Sequence, residues 1–115
     1  MHELSIALSI VEVAQEECAQ RGGVRLRAVH LRVGALAGIL ADALRFSYLA
    51  ACAETPLEGS QLLIEEVPLV VACTACGAQQ QLAQLYPLRC PACSSDQVDV
   101  MQGKELEVFA LEIEE

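Results

Sequence analysis

The sequence predicts an α+β fold: a small mixed sheet carrying two helices, with a compact ribbon-like module inserted ahead of the last strand. Three observations predict it. Apolar residues recur at helical spacing over 4–21 and 40–53. They form short strand-like runs over 28–34, 62–67 and 105–113. Between 69 and 100 the helical pattern fades and four of the six cysteines gather in two CxxC pairs.

Each element has a local reason. In 4–21, Leu4, Ala7, Leu8, Val11, Ala14 and Cys18 share one helical face, and Glu12, Glu16, Gln20 and Arg21 fall mostly on the other. Gly22-Gly23 stops this helix, because glycine takes the left-handed cap conformation at little cost. Val29, Leu31 and Val33 alternate with His30 and Arg32, so 28–34 reads as a strand with His30 on its solvated side. Gly34, Ala35 and Gly38 break that pattern. Ala43, Phe46, Leu49, Ala50 and Ala53 supply the expected buried stripe of the second helix, which Thr55-Pro56 ends. Leu62 to Val67 is a short strand, Pro68 marks a change of character, and 105–113 returns to strand composition. The last strand is expected to rejoin the first sheet. The domains are therefore 1–68 with 101–115, and an inserted module at 69–100. Cys18 and Cys52 stand singly in helical patterns and read as small core hydrophobes.

The module carries its own chemistry. Cys73, Cys76, Cys90 and Cys93 form two knuckles with thirteen residues between the pairs. Each pair sets two sulfurs on one tight turn, Gly77 permits the sharp turn after Cys76, and Pro91 stiffens the second knuckle. Two facing knuckles close a tetrahedral cage of four sulfurs that Zn(II) accepts readily, making a zinc-ribbon-like module. A cage with no open position is structural and not hydrolytic. An iron–sulfur centre is also compatible with four thiolates. Redox disulfides fit less well, because no strand-helix context of the thioredoxin kind surrounds either pair.

Composition excludes several classes. Sixteen acids against seven bases give a net charge of −9 over 115 residues, which argues against nucleic acid as a partner. No apolar run reaches the ~18 residues of a membrane span, and the start has neither the basic flank nor the apolar core of a signal peptide. The expected compartment is the cytoplasm, where thiols stay reduced and paired cysteines suggest metal before disulfides. No nucleophile–base set, phosphate loop or open metal site is visible, so an enzyme is not expected.

Met1, His2 and Glu3 form a second candidate site. A terminal amine, the amides of His2 and Glu3, and an imidazole at position 2 can offer a planar set of nitrogens, which suits Ni(II) and Cu(II) alike. Amine and imidazole must both be neutral to bind. Their reference pKa values, about 7.7–8.0 and about 6.5, make mild acid an ejector of the metal.

Met1-His2-Glu3-Leu4-Ser5, the strand ending Val33-Gly34, Ala43-Leu44-Arg45-Phe46, Glu65-Glu66-Val67-Pro68, the two knuckles and Gly103-Lys104-Glu105-Leu106 together resemble the HypA/HybF family of hydrogenase maturation nickel chaperones. The resemblance covers nearly the whole chain. It implies an α/β nickel domain and a zinc domain. It implies Ni(II) held as cargo through His2 and N-terminal backbone nitrogens, and structural Zn(II) on Cys73, Cys76, Cys90 and Cys93. It also implies work with the GTPase HypB and delivery toward the large subunit of [NiFe] hydrogenase. A homodimer and service to urease stay open. At position 35 the chain has Ala35 where the family usually has glutamate. The competing reading is a zinc-ribbon adaptor that binds proteins without delivering metal.

Overall fold

The computed structural model describes residues 2–83 and 87–114. In chain order the elements are α1 (His2–Gln20), β1 (Arg25–Gly34), α2 (Ala41–Cys52), β2 (Gln61–Val67), β3 (Val70–Cys73), β4 (Gln79–Gln81), β5 (Val98–Gln102) and β6 (Leu106–Glu114), with a 3-10 turn at Ala35–Ala37. Two helices with small sheets are the expected fold class. The chain divides into two compact units. One holds Met1–Arg32, Ile39–Glu65 and Glu107–Glu115, and the other Val33–Gly38 and Glu66–Leu106.

The first unit is built on a sheet ordered β2-β1-β6. The closing strand does rejoin the opening one, as its composition implied. Central β1 buries Leu26, Ala28, Val29 and Leu31. Its burial alternation slips by one step between Ala28 and Val29, so Arg25, Arg27, His30 and Arg32 all remain outside the core. α1 starts two residues earlier than the apolar pattern indicates, with Glu3 in the first turn where an acid suits the helix dipole. Its buried face is Ala7, Ile10, Val11, Ala14 and Cys18. Leu4 and Leu8, expected on that face, are half exposed.

α2 turns the other way from the expectation. Leu44, Tyr48 and Cys52 are its buried stripe, while Phe46 is 76% and Leu49 60% exposed, and Ala50 and Ala53 also face outward. The cause is a polar anchor that spacing does not display. The Tyr48 hydroxyl lies 2.7 Å from Ser60 Oγ, and that hydroxyl donates to the Leu57 carbonyl at 2.6 Å. Burial, the largest influence, pushes the Tyr48 phenol far above its ordinary range, so it stays neutral. Cys52 Sγ completes the group 3.9 Å from Ser60 Oγ. Both lone cysteines are buried, as small hydrophobes would be.

His30 is a further correction. It is half-buried, not solvated: Nε2 lies 3.2 Å from Glu112 Oε1, and the ring meets Phe109 edge-on with centroids 5.9 Å apart. The group covering it comes from β6, far away in sequence.

The second unit holds three short strands that the module's composition did not announce. β3 lies between β4 and β5 and is antiparallel to both. Val71 pairs with Gln80 on one side and Val100 on the other, and a register shift falls between Val70 and Val71. Leu69 and Val71 are buried here, and the strand leads directly into Cys73.

No helix among the described residues is long and apolar enough to cross a membrane.

Candidate metal centre

The two knuckles fold by the same rule. The Cys73 amide donates to the Ala78 carbonyl at 2.8 Å, and the Gly77 amide returns to the Cys73 carbonyl at 2.9 Å. Seventeen residues on, the Cys90 amide donates to the Ser95 carbonyl at 2.9 Å and the Ser94 amide returns to the Cys90 carbonyl at 2.8 Å. The returning residue has positive φ in both turns, 79° at Gly77 and 64° at Ser94. Glycine adopts that conformation freely, and serine does so at a cost. The sequence advertised the first turn through Gly77. Ser94 holds the equivalent place, and only its offset from Cys90 could have marked it. Thr74 ties the first knuckle to the far side of the module, its amide and hydroxyl both bonding the Gln97 carbonyl at 2.9 Å.

The turns bring all four predicted sulfurs together. Every pair of sulfurs among Cys73, Cys76, Cys90 and Cys93 lies within 4.8 Å. Across the knuckles, Cys73 and Cys93 are 3.6 Å apart, as are Cys76 and Cys90. A zinc ion with Zn–S of about 2.3 Å at a tetrahedron's centre places its sulfurs about 3.8 Å apart. The donor set therefore fits a single tetrahedral ion. The same distances are far beyond a disulfide bond of about 2.05 Å, and all six cysteines are free. A four-iron cluster holds each cysteine on a separate iron and a two-iron cluster splits them two and two, so either spreads the four sulfurs further than one ion's ligands, and the four-thiolate alternative narrows to a mononuclear site.

Protonation divides the cage in two. The Cys76 amide, 3.4 Å from the Cys73 sulfur, is the main cause that brings that thiol down to about 7. The Cys93 amide likewise lowers Cys90. Cys93 receives a bond from the Ser95 amide, but the Cys73 sulfur and desolvation outweigh it and push the thiol up to about 12. Cys76 is raised in the same way: its bond from Ala78 is outweighed by the sulfurs of Cys90 and Cys73. The first cysteine of each pair is buried and its thiol is shifted toward the thiolate; the second is exposed and its thiol is shifted toward the protonated form.

The N-terminal candidate lies at the start of α1. Met1 and the His2 side chain lie outside the described residues. The His2 backbone opens the helix, and the Glu3 carboxylate accepts a long hydrogen bond from the Leu40 amide at 3.4 Å.

Comparison with known proteins agrees with this architecture. The family described as "Hydrogenase/urease nickel incorporation, metallochaperone, hypA" matches residues 1–113. A hydrogenase maturation factor HypA from Chloroflexus aurantiacus is 52% identical over 112 residues, covering 97% of this chain and 98% of its own length. One from Roseiflexus sp. is 47% identical over 115 residues, covering 100% of this chain and 94% of its own. Among solved structures, the Ni metallochaperone HypA from Helicobacter pylori superposes with a TM-score of 0.64 at 19% identity, covering 96% of each chain. Another HypA solution structure reaches 0.71 at 20% identity, covering 98% of this chain and 96% of its own. At such identities the likeness speaks for the fold.

Proposed function

The chain belongs to the HypA family of nickel-incorporation metallochaperones for hydrogenase maturation, and from that premise we propose that it carries Ni(II) on Met1, His2 and Glu3 while Zn(II) braces the four-cysteine cage. The observation that supports this reading is the family match across residues 1–113, which takes in the opening Met1-His2-Glu3. The nickel-binding domain is 1–68 with 101–115, and the zinc module is 69–100. The protein works in the cytoplasm as a carrier and not a catalyst. It receives support from the GTPase HypB and passes its cargo toward the [NiFe] hydrogenase large subunit.

The division of labour follows from the donor sets. Four thiolates in a closed cage hold zinc without an exchange position, so the metal supplies folding energy alone. A chain terminus offers the opposite, a site that a competing ligand can reach. α1 opens at His2, and first-turn amides make no intrahelical hydrogen bond. Recruiting the His2 and Glu3 nitrogens therefore breaks no helix bond. Copper binds most nitrogen sites more tightly than nickel, so selectivity rests with partners and supply.

The untagged chain is expected to take up Ni(II) with a square-planar spectrum. His2→Ala, or one residue added ahead of Met1, is expected to abolish that uptake with zinc content unaltered. Calorimetric titration and elemental analysis read both. Unchanged nickel stoichiometry and affinity in both variants would refute the site, and a protein-binding adaptor would then be the better account.

Zinc loading of the cage carries a proton signature. The raised thiols of Cys76 and Cys93 must each lose a proton to become ligands, whereas Cys73 and Cys90 start closer to the thiolate form. Binding near neutral pH is thus expected to release at least two protons, those of Cys76 and Cys93, and apparent affinity to climb at least about a hundredfold per pH unit. Calorimetry in buffers of different ionisation enthalpy measures the count. A value near zero would contradict the assignment.

A further inference from the structure

β6 is an edge strand. Among the described residues it pairs only with β1, so its outer side carries a row of backbone N–H and C=O groups open to another chain. None of its nine residues is buried. The strand contributes Val108, Phe109, Ala110, Leu111 and Ile113 to a groove of about 420 Å³, whose other wall is α1 with Val13 and the Glu17–Arg21 ion pair. Val13 is 56% exposed and lines the groove opposite β6.

The other side is an ordered row of charge. Arg25 meets Glu114 at 3.7 Å, Arg27 meets Glu112 at 3.6 Å, and Arg32 meets Glu107 at 3.7 Å. Arg32 also stacks 3.9 Å over the Phe109 ring. Partner numbers fall along β6 as they rise along β1, so the two strands run antiparallel. The face reads as a row of cations on β1 followed by a row of acids on β6, where the sheet ends. Each carboxylate meets a cation of β1, and Glu112 uses both oxygens, one toward Arg27 and one toward His30.

We propose that this edge receives an extended segment of a partner protein in which Lys or Arg alternates with aliphatic side chains, added as a strand beside β6. Its cations continue the charge row opposite Glu112 and Glu114, which stand two residues apart, while Glu107, five residues before Glu112, is out of step with that alternation. Its aliphatic side chains fall on the groove side, over Val13, Leu111 and Ile113. Main-chain bonds supply the affinity and the alternation supplies the selectivity. The chain's net charge of −9 favours the same partner.

A second copy fits less well. To lay acid face on acid face and apolar face on apolar face, two β6 strands must pair with Glu107 of one opposite Glu114 of the other, twice over. Phe109 then faces Glu112. Like charges directly opposite destabilise a pair of strands.

The test uses the zinc-loaded full chain and fluorescent peptides of nine residues, the length of β6. One alternates Lys and Val, one alternates Glu and Val, and one carries the Lys and Val in two blocks. The alternating Lys/Val peptide is expected to bind about tenfold more tightly than either control, since two charge pairs, at Glu112 and Glu114, are at stake. N-methylation along its strand edge is expected to remove binding. Hydrogen exchange of the β6 amides is expected to slow in the complex. Glu112→Lys is expected to weaken binding and shift preference toward the Glu/Val peptide. No binding, or binding that survives N-methylation with β6 exchange unchanged, overturns the proposal. So does a dimer mass by light scattering with β6 already protected before any peptide is added, which would assign the edge to a second copy.

Discussion

Cys76→Ser is expected to lower zinc affinity by two decades or more and to leave β3, β4 and β5 without fixed pairing. Cys76 is the informative choice because it is exposed. Replacing its sulfur with oxygen leaves no cavity, so a lost metal bond is the only large change. A structural zinc site is worth about 10–16 kcal/mol near neutral pH, and losing one thiolate of four removes roughly 3 kcal/mol or more of that. At about 1.4 kcal/mol per decade this gives the predicted loss of affinity. The strands follow the metal because little else holds them. Among the described residues of Glu66–Leu106 the buried aliphatic side chains are Leu69 and Val71, beside Cys73 and Cys90 themselves. So small a core does not offset the entropy of ordering the segment, and a metal staple is the usual remedy. Competition with a chelator measures the affinity, and amide exchange at Val71 and Val100, paired across β3 and β5, reports the strands. Wild-type affinity with unchanged exchange would mean that the sulfurs merely sit near one another. The first unit's α1 and α2 are expected to keep their helical signal throughout, since Ala7, Val11, Leu44 and Tyr48 are buried without help from the cage.

What was legible in the sequence was local, and what was hidden was made by distant residues. The two helices, the strands of the first unit and the cage follow from periodicity and spacing, and the structure reproduces each within a few residues. The face of α2 does not follow. Ala43, Phe46 and Leu49 give as good an apolar stripe as Leu44, Tyr48 and Cys52, so periodicity offers two solutions. Ser60, past the helix end, selects between them by engaging Tyr48. His30 was assigned to solvent because its neighbours alternate correctly. Phe109 and Glu112, about eighty positions on, make it half-buried. β4 is Gln79-Gln80-Gln81, a segment with no strand pattern of its own, and it exists as the partner of β3. In the cage, the cysteines and Gly77 were readable from motif grammar, while Ser94 was masked by being the wrong residue for its backbone conformation.

The same logic governs the last expected result. Gly34→Ala is expected to destabilise the zinc-loaded chain by about 3 kcal/mol. Gly34 ends β1 with φ −80° and ψ 154°, extended backbone that alanine adopts without strain. Its need for glycine is purely steric. The Gly34 amide donates to the Glu105 carbonyl at 2.7 Å, and the Leu36 amide donates to the Gly103 carbonyl at 2.7 Å. These two bonds draw the segments so close that a Cβ on Gly34 would lie 2.6 Å from the Lys104 nitrogen and nearer still to the Gly103 carbonyl. Those neighbours are backbone, so they cannot step aside as a flexible side chain could. Gly103 cannot retreat either: its φ is 117°, and its own face lies against Leu69. Gly59→Ala is the control. That glycine has φ 94° with open space around it, so alanine there pays only the left-handed backbone penalty of about 1–2 kcal/mol. Denaturant unfolding of both variants with zinc bound separates the two causes. If Gly34→Ala proves no costlier than Gly59→Ala, the contact between the end of β1 and the turn before β6 is looser than described. If it is costlier, the paired fragments Val33-Gly34 and Gly103-Lys104, far apart in sequence, owe their glycines to one place where two backbones touch.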